Sequence, residues 1–357
     1  MPVIKHRALL TITSAFLLLT NLCFAQEAFE KVLPDDLVIK YNHYLDGYKA
    51  RHIYKGGTVE ALLDDETKSK VVQPYGLGDS QGWTGLTMSA FAFQGDWELV
   101  RTNLSYWDLV VREPGRYVRY PEIPPDYGHG DTSIDQYGEM IMGIVAVYLT
   151  GPEDLKRNMA DITRDIIVYG NSHNWIMGNG PFTDCDKLRF LFQLMSEKMG
   201  IGIDVYREGE NYESLRDKFL SQFQDAVFIR NGTPRYFNMN LYFERLFVAK
   251  LLKPGIKGLD KAIRDWYKVV RKDNNSLFDW FYAKVAGKER SFLVERLRDF
   301  PENLPNQWEQ SGYHWGYRWE RSPEELQRKA SGISLEFTGM DFLVLASYYS
   351  YFELNDF

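Results

Sequence analysis

The stretch Gly130–Val147, GDTSIDQYGEMIMGIVAV, opens on polar and ionisable side chains and closes on a segment that is apolar on nearly every face. His129, Asp131, Ser133, Asp135, Gln136, Tyr137 and Glu139 form the polar opening. At roughly 100° per residue, Met140, Ile141, Ile144, Val145, Val147 and Tyr148 point in almost all directions, so protein surrounds this helix. Asp131 or Ser133 is expected to supply the N-cap oxygen, and the acids suit the positive end of the helix dipole. Asp135, Gln136 and Tyr137 fall inside the first buried turn, where a carboxylate needs a partner or a water-filled cavity.

The same design, a polar mouth on a buried helix, recurs at Gly78-Asp79, Asp184-Asp186, Tyr236-Asn240, Asn274-Asn275 and Glu336-Asp341. Periodicity predicts buried helices over 82–93, 134–149, 185–199, 236–252, 275–286 and 339–352. Two-faced helices are predicted over 35–50, 97–111, 153–169, 212–228, 259–270 and 291–300, with almost no alternating strand pattern. Buried and two-faced helices therefore take turns. The buried ones start about fifty residues apart, except around the fifth, and a hairpin that cannot cover its own apolar face marks a repeat architecture. Six such hairpins close most simply into a ring, so the expected fold is all-α, an (α/α)6 toroid in one domain over residues 26–357.

Residues 1–25 combine Lys5, His6 and Arg7 with an apolar run from Ala8 to Leu19 and a small-residue end at Ala25. That run is short for a bilayer span and reads as a cleaved signal peptide, which makes the expected location periplasmic or secreted. Loss of Lys5 and Arg7 takes the formal charge from -7 to -9, which leaves no electrostatic footprint for nucleic acid. Cys185 then stands alone in an apolar setting and is expected to pack. No later stretch is long and apolar enough to be a transmembrane helix. Aromatic residues make up 15% of the chain, which suits both core filling and stacking on sugar rings.

In a ring of hairpins all six inner N-termini gather at one end. There the chain places Asp79 and Gln81, Asp131 and Asp135, Asp184 and Asp186, Asn238 and Asn240, Asn274, Glu336 and Asp341. Capping alone is the favoured account of Asp184, Asn274 and Asn275. It does not account for Asp135, Gln136 and Tyr137. Carboxylates facing a funnel lined with Trp and Tyr are what glycosidic cleavage requires, one as a proton donor and one to activate water. Two irregular segments, Arg112–Gly130 and Pro301–Leu335, break the helical rhythm; the second carries Trp308, Tyr313, His314, Trp315, Arg318, Trp319 and Arg321.

Gly78-Asp79-Ser80-Gln81-Gly82-Trp83-Thr84-Gly85 resembles the opening of six-hairpin glycosidase-like proteins, and Thr132-Ser133-Ile134-Asp135-Gln136-Tyr137-Gly138 is similar to their buried-helix start, with Ile134 where an Arg is usual. Tyr236–Leu241 and the ending Trp319–Pro323 with Glu336–Leu343 look like uncharacterised bacterial exported members. The likeness spans about 75–350 and implies the toroid and a carbohydrate partner; by position Asp79 and Asp135 match acids that line the central cavity.

The leading expectation is a glycoside hydrolase with Asp79 and Asp135 as acid and base in either order and Glu336 in reserve. Trp83, Trp107, Tyr137, Trp315 and Trp319 would be sugar platforms, and Gln136, Asn238, Asp131 and Asp341 would meet hydroxyl groups. A polysaccharide lyase is the second expectation, with His129, His314 or Tyr137 as base and Arg321 or Arg318 against a uronate carboxylate. A glycan-binding envelope protein without turnover is the third. No cofactor or metal is expected: there is no P-loop, no G-x-S-x-G, no H-E-x-x-H and no paired C-x-x-C, and Asp131, Ser133 and Asp135 lack the offsets of a calcium loop.

Overall fold

A computed structural model describes residues 31–124, 127–223, 229–230, 233–234, 236–272, 275–308 and 332–357. Among the described residues there are twelve α-helices. They are α1 (Asp35–Arg51), α2 (Ser80–Gln94), α3 (Trp97–Val110), α4 (Ile134–Thr150), α5 (Glu153–Ser172) and α6 (Arg189–Met199). The second half adds α7 (Tyr212–Leu220), α8 (Tyr236–Leu252), α9 (Leu259–Val270), α10 (Ser276–Val285), α11 (Phe292–Arg298) and α12 (Met340–Leu354). Even-numbered helices are the buried set and odd-numbered helices the two-faced set, as the hydrophobic pattern requires.

The bounds of α8 and α9 fall where the periodicity places them. The helix expected over 212–228 is shorter: α7 ends at Leu220, a 3₁₀ turn follows at Ser221–Phe223, and 224–228 lie outside the described residues. One contiguous apolar cluster draws side chains from all twelve helices. α2 packs on α4, α12 and α3; α4 also on α8 and α5; α8 on α6 and α9; α10 on α9, α11 and α12; α12 on α1.

The closest approach is α2 against α4. Gly85 and Gly143 lie at that crossing, and a methyl group on Gly143 would sit 2.7 Å from the Gly85 carbonyl oxygen. Only residues without side chains let two helices meet backbone to backbone here.

Short strands, unpredicted by any alternating pattern, join the helices. Strands β1 (Ile53–Tyr54) and β2 (Gly57–Thr58) form a hairpin, as do β5 (Val111–Glu113) and β6 (Arg116–Tyr117), and β7 (Ile229–Arg230) pairs with β8 (Thr233–Pro234). Strand β3 (Glu60–Leu63) lies between β4 (Val71–Tyr75) and β9 (Leu335–Glu336), all antiparallel. That sheet couples the segment after α1 to the segment before α12.

The even-numbered helices differ at their two ends. Toward their C-termini the rings of Phe93, Phe247, Trp280, Tyr348, Phe352 and Phe357 pack on one another, with Phe247 stacked on Tyr348 at 5.1 Å between centroids. Toward their N-terminal halves buried polar residues gather among the apolar ones: Gln81, Gln136, Glu139, Asn240, Glu244 and Asp341. No helix among the described residues is long and apolar enough to cross a membrane. The segment expected to be a signal, 1–25, lies outside the described residues.

Candidate active site

The cap expected for α4 is not made. Ser133 holds the N-cap position in extended backbone, but neither its hydroxyl nor the Asp131 carboxylate bonds to the first turn. Instead the Ile134 N–H donates to the Phe182 carbonyl at 2.8 Å. Both side chains are taken by arginines that the sequence reading did not single out. Arg116 pairs with Asp131, whose other oxygen accepts from the Asn179 N–H at 2.7 Å. Arg119 donates through Nη2 to the Ser133 hydroxyl at 2.7 Å.

Arg119 ties the two opening motifs together. Its Nη1 reaches the Gly78 carbonyl at 2.8 Å and Asp79 Oδ1 at 3.4 Å, its Nε reaches the Gly130 carbonyl at 3.1 Å, and its own carbonyl accepts from Gln81 N–H at 3.2 Å. Asp79 and Asp135 are thus carried to the same end of the helices. They are not equivalent there. Asp79 ends a 3₁₀ turn and its side chain is 46% exposed, already ion-paired with Arg119. Asp135 is half-buried in the first turn of α4 and forms no hydrogen bond or ion pair among the described residues.

Asp135 lies within electrostatic reach of Cys185, ahead of α6, and of Arg245 on α8. Burial pushes the Cys185 thiol well above its ordinary value; Asp184 and Asp135 add to that, and Arg245 on α8 opposes it. Burial pulls the Arg245 guanidinium below its ordinary value, against the attraction of Tyr242, Glu244, Cys185 and Asp135. Asp135, Cys185 and Arg245 therefore form one electrostatic neighbourhood. Cys185 is a free thiol buried in the core, as expected of a packing residue.

One turn inward from Asp135, Glu139 lies on the same face of α4, the i,i+4 relation that stacks side chains. Its carboxylate rests on Gly82 of α2, where any Cβ would collide with it. The Gln136 amide oxygen accepts from the Gly82 N–H at 3.0 Å, and its Nε2 makes no bond among the described residues. On α8, Asn240 donates to Glu244 at 2.5 Å, and Glu244 comes against Gly138 of α4. Glu139 is legible in the sequence as part of the polar opening, but Glu244 is not, because a single Glu in an apolar helix carries no motif; Gly82 and Gly138, which face the two glutamates, are the other readable signal.

Other candidates are placed elsewhere. Glu336 lies on β9 and turns to the end of α1, where Arg51 Nε and His52 Nε2 reach its Oε1 at 2.5 and 3.0 Å. Burial pushes its carboxyl up, but His52 and Arg51 outweigh burial and hold it below the usual range, which suits a standing charge rather than a proton donor. Asp341 is buried in the first turn of α12, near enough to Tyr44 to help burial raise that hydroxyl. Asn238 is half-buried in the first turn of α8.

Trp83 and Trp107 are 3% and 1% exposed, and Tyr137 is fully buried with its hydroxyl between the Tyr117 N–H and the Gly115 carbonyl. No face of these rings is open to a sugar. Asn275 caps α10 as expected, accepting from the Leu277 and Phe278 N–H groups at 3.0 and 3.2 Å, and Asp184 accepts from Asp186 N–H. His129 is exposed beside Tyr127, which in turn meets Tyr120. His314, Trp315, Trp319 and Arg321, with Arg318 and Asn274, lie outside the described residues.

Among the described residues, one open aromatic ring near this end is Phe182. It is 69% exposed and held at φ +70°, a left-handed backbone that a bulky residue rarely adopts. Its carbonyl anchors Ile134, so the ring stands within one residue's reach of the helix turn that carries Asp135. Nothing in a Gly-Pro-Phe-Thr loop marks that conformation in advance. Among the described residues no group of three or more His, Cys, Asp or Glu side chains is placed to hold a metal ion. No protein-family model matches the chain, and no curated protein matches it significantly.

Proposed function

We propose that the protein is an exported glycoside hydrolase, built as an (α/α)6 toroid whose polar end receives an oligosaccharide. Support for the toroid comes from the strict alternation of buried and two-faced helices and from their opposed polar and aromatic ends. One observation carries the functional reading: Asp135, half-buried at the mouth of a helix otherwise sealed in protein, has no hydrogen bond or ion pair among the described residues. A carboxylate kept so is available to a substrate.

Hydrolysis of a glycosidic bond needs one carboxylic acid to protonate the leaving oxygen and one carboxylate to activate water or attack carbon. Asp135 is one of this pair and Asp79, across the Arg119 bridge, the other. Phe182 offers its open ring face to the sugar, since apolar sugar faces stack on aromatic rings. Replacing Asp135 by Asn is expected to lower turnover of a cleaved oligosaccharide about 10²–10⁴-fold with the fold intact. Turnover like that of the wild type would remove Asp135 from the chemistry.

A second reading, a glycan-binding protein without turnover, is favoured by the ion pairs that already occupy Asp79 and Glu336. Saturable binding with neither new reducing ends nor unsaturated product, across neutral and uronate-containing oligosaccharides, would put it in front. Lyase chemistry gains nothing from Tyr137, whose hydroxyl is committed and pushed well above its ordinary value by burial.

A further inference from the structure

Arg245 is 5% exposed in the middle of α8, and no carboxylate among the described residues comes within ion-pair reach of it. Its Nη1 donates to Gln222 Oε1 at 3.0 Å, and its guanidinium lies 5.7 Å from the centre of the Tyr242 ring. A guanidinium has five N–H donors in a rigid fork, so most of this one is unused.

The charged and titratable groups around it are Tyr242, Glu244, Cys185 and Asp135. Neither of its two hydrogen-bonding and ring partners, Gln222 and Tyr242, carries a negative charge at neutral pH. A buried cation without a paired anion is costly, and its cost falls when an oxyanion takes up the fork bidentately.

We propose that Arg245 receives an oxyanion carried by the ligand, so that the glycan taken at this mouth bears an acidic group close to where Asp135 acts. The group is a carboxylate, as in a uronic acid, or an ester of sulfate or phosphate; the fork recognises the shared geometry of charged oxygen pairs. Asp135 would repel such a group by itself, and Arg245 is the cation that offsets this. The inference rests on the glycan reading above, yet it fails or holds separately.

Calorimetric titration of the full chain with D-glucose, D-glucuronate and D-glucose 6-sulfate tests it. Both or either of the acidic sugars is expected to bind at least about tenfold more tightly than glucose, as one charge-assisted pair implies. Which of them does so separates carboxylate from ester. Arg245→Lys keeps the charge, loses the fork, and is expected to remove the preference.

Equal affinity for all three sugars, no heat with any of them, or a preference that survives in Arg245→Lys would overturn the proposal. The wild-type comparison alone decides the case if the variant does not fold. Unchanged turnover in Asp135→Asn together with loss of the acidic preference in Arg245→Lys would sink the hydrolase reading and leave the oxyanion site standing. Loss of turnover in Asp135→Asn with no acidic preference would do the reverse.

Discussion

Phe182 shows what a single residue costs and contributes. Its φ of +70° is strained for a side chain with a Cβ, and its ring recovers nothing by burial because most of it is exposed. Phe182→Gly is expected to raise stability by about 1 kcal/mol in urea unfolding, while glycan affinity falls. If affinity were unchanged, the ring would not be the platform. Gly143 is the opposite case, a position where a side chain has no room: its added methyl would stand 2.7 Å from the Gly85 carbonyl. Gly143→Ala is expected to cost about 3 kcal/mol, seen as a lower urea midpoint, because two helix backbones must separate. Neither residue is marked in the sequence, since Gly in a helix and Phe in a loop are both ordinary until a neighbour or a dihedral angle is known.

Helices were the legible elements. Apolar positions at helical spacing depend only on local order, so α8 and α9 appear in the sequence with their observed bounds. The strands were not legible, because segments of two to five residues are too short to show alternation. Strand β9 pairs with β3 from the far end of the chain, and nothing local specifies such a partner. Caps were legible in part. Asn275 caps α10 through two N–H groups, and Asn275→Ala is expected to cost about 1 kcal/mol or somewhat more in the same unfolding measurement. Ser133 does not cap α4, because Arg119 competes for its hydroxyl and Phe182 supplies an alternative acceptor for Ile134.

Two glutamates bind distant parts of the molecule to one another. Glu336 joins the strand before α12 to Arg51 and His52 at the end of α1. Glu210, which accepts from the buried Arg189 of α6 through both oxygens, is held down at about 2, chiefly by that hydrogen bonding. Both carboxyls lie lower in the folded chain than their ordinary value of 4.5. Their contribution to stability is therefore complete above that value and is lost as the pH falls through the folded values. Urea midpoints measured from about pH 7 down to about pH 3 are expected to fall steeply below pH ~4.5, and Glu336→Gln is expected to flatten part of that fall. A wild-type curve without the acid limb would show that these pairs do not stabilise the fold.

The sequence by itself determined which segments are helices, which of them are buried, and that their polar residues collect at helix starts, because these follow from periodicity and from the cost of burying a polar group. Tertiary structure alone decided the state of each polar residue. It set Asp79 and Asp131 against arginines, turned Glu336 away to α1, sealed Trp83, Trp107 and Tyr137 in the core, and left the Asp135 carboxylate without a hydrogen bond or ion pair and Arg245 with unused donors among the described residues. Charges and rings act through distance and exposure, and both are set by neighbours that lie far away along the chain.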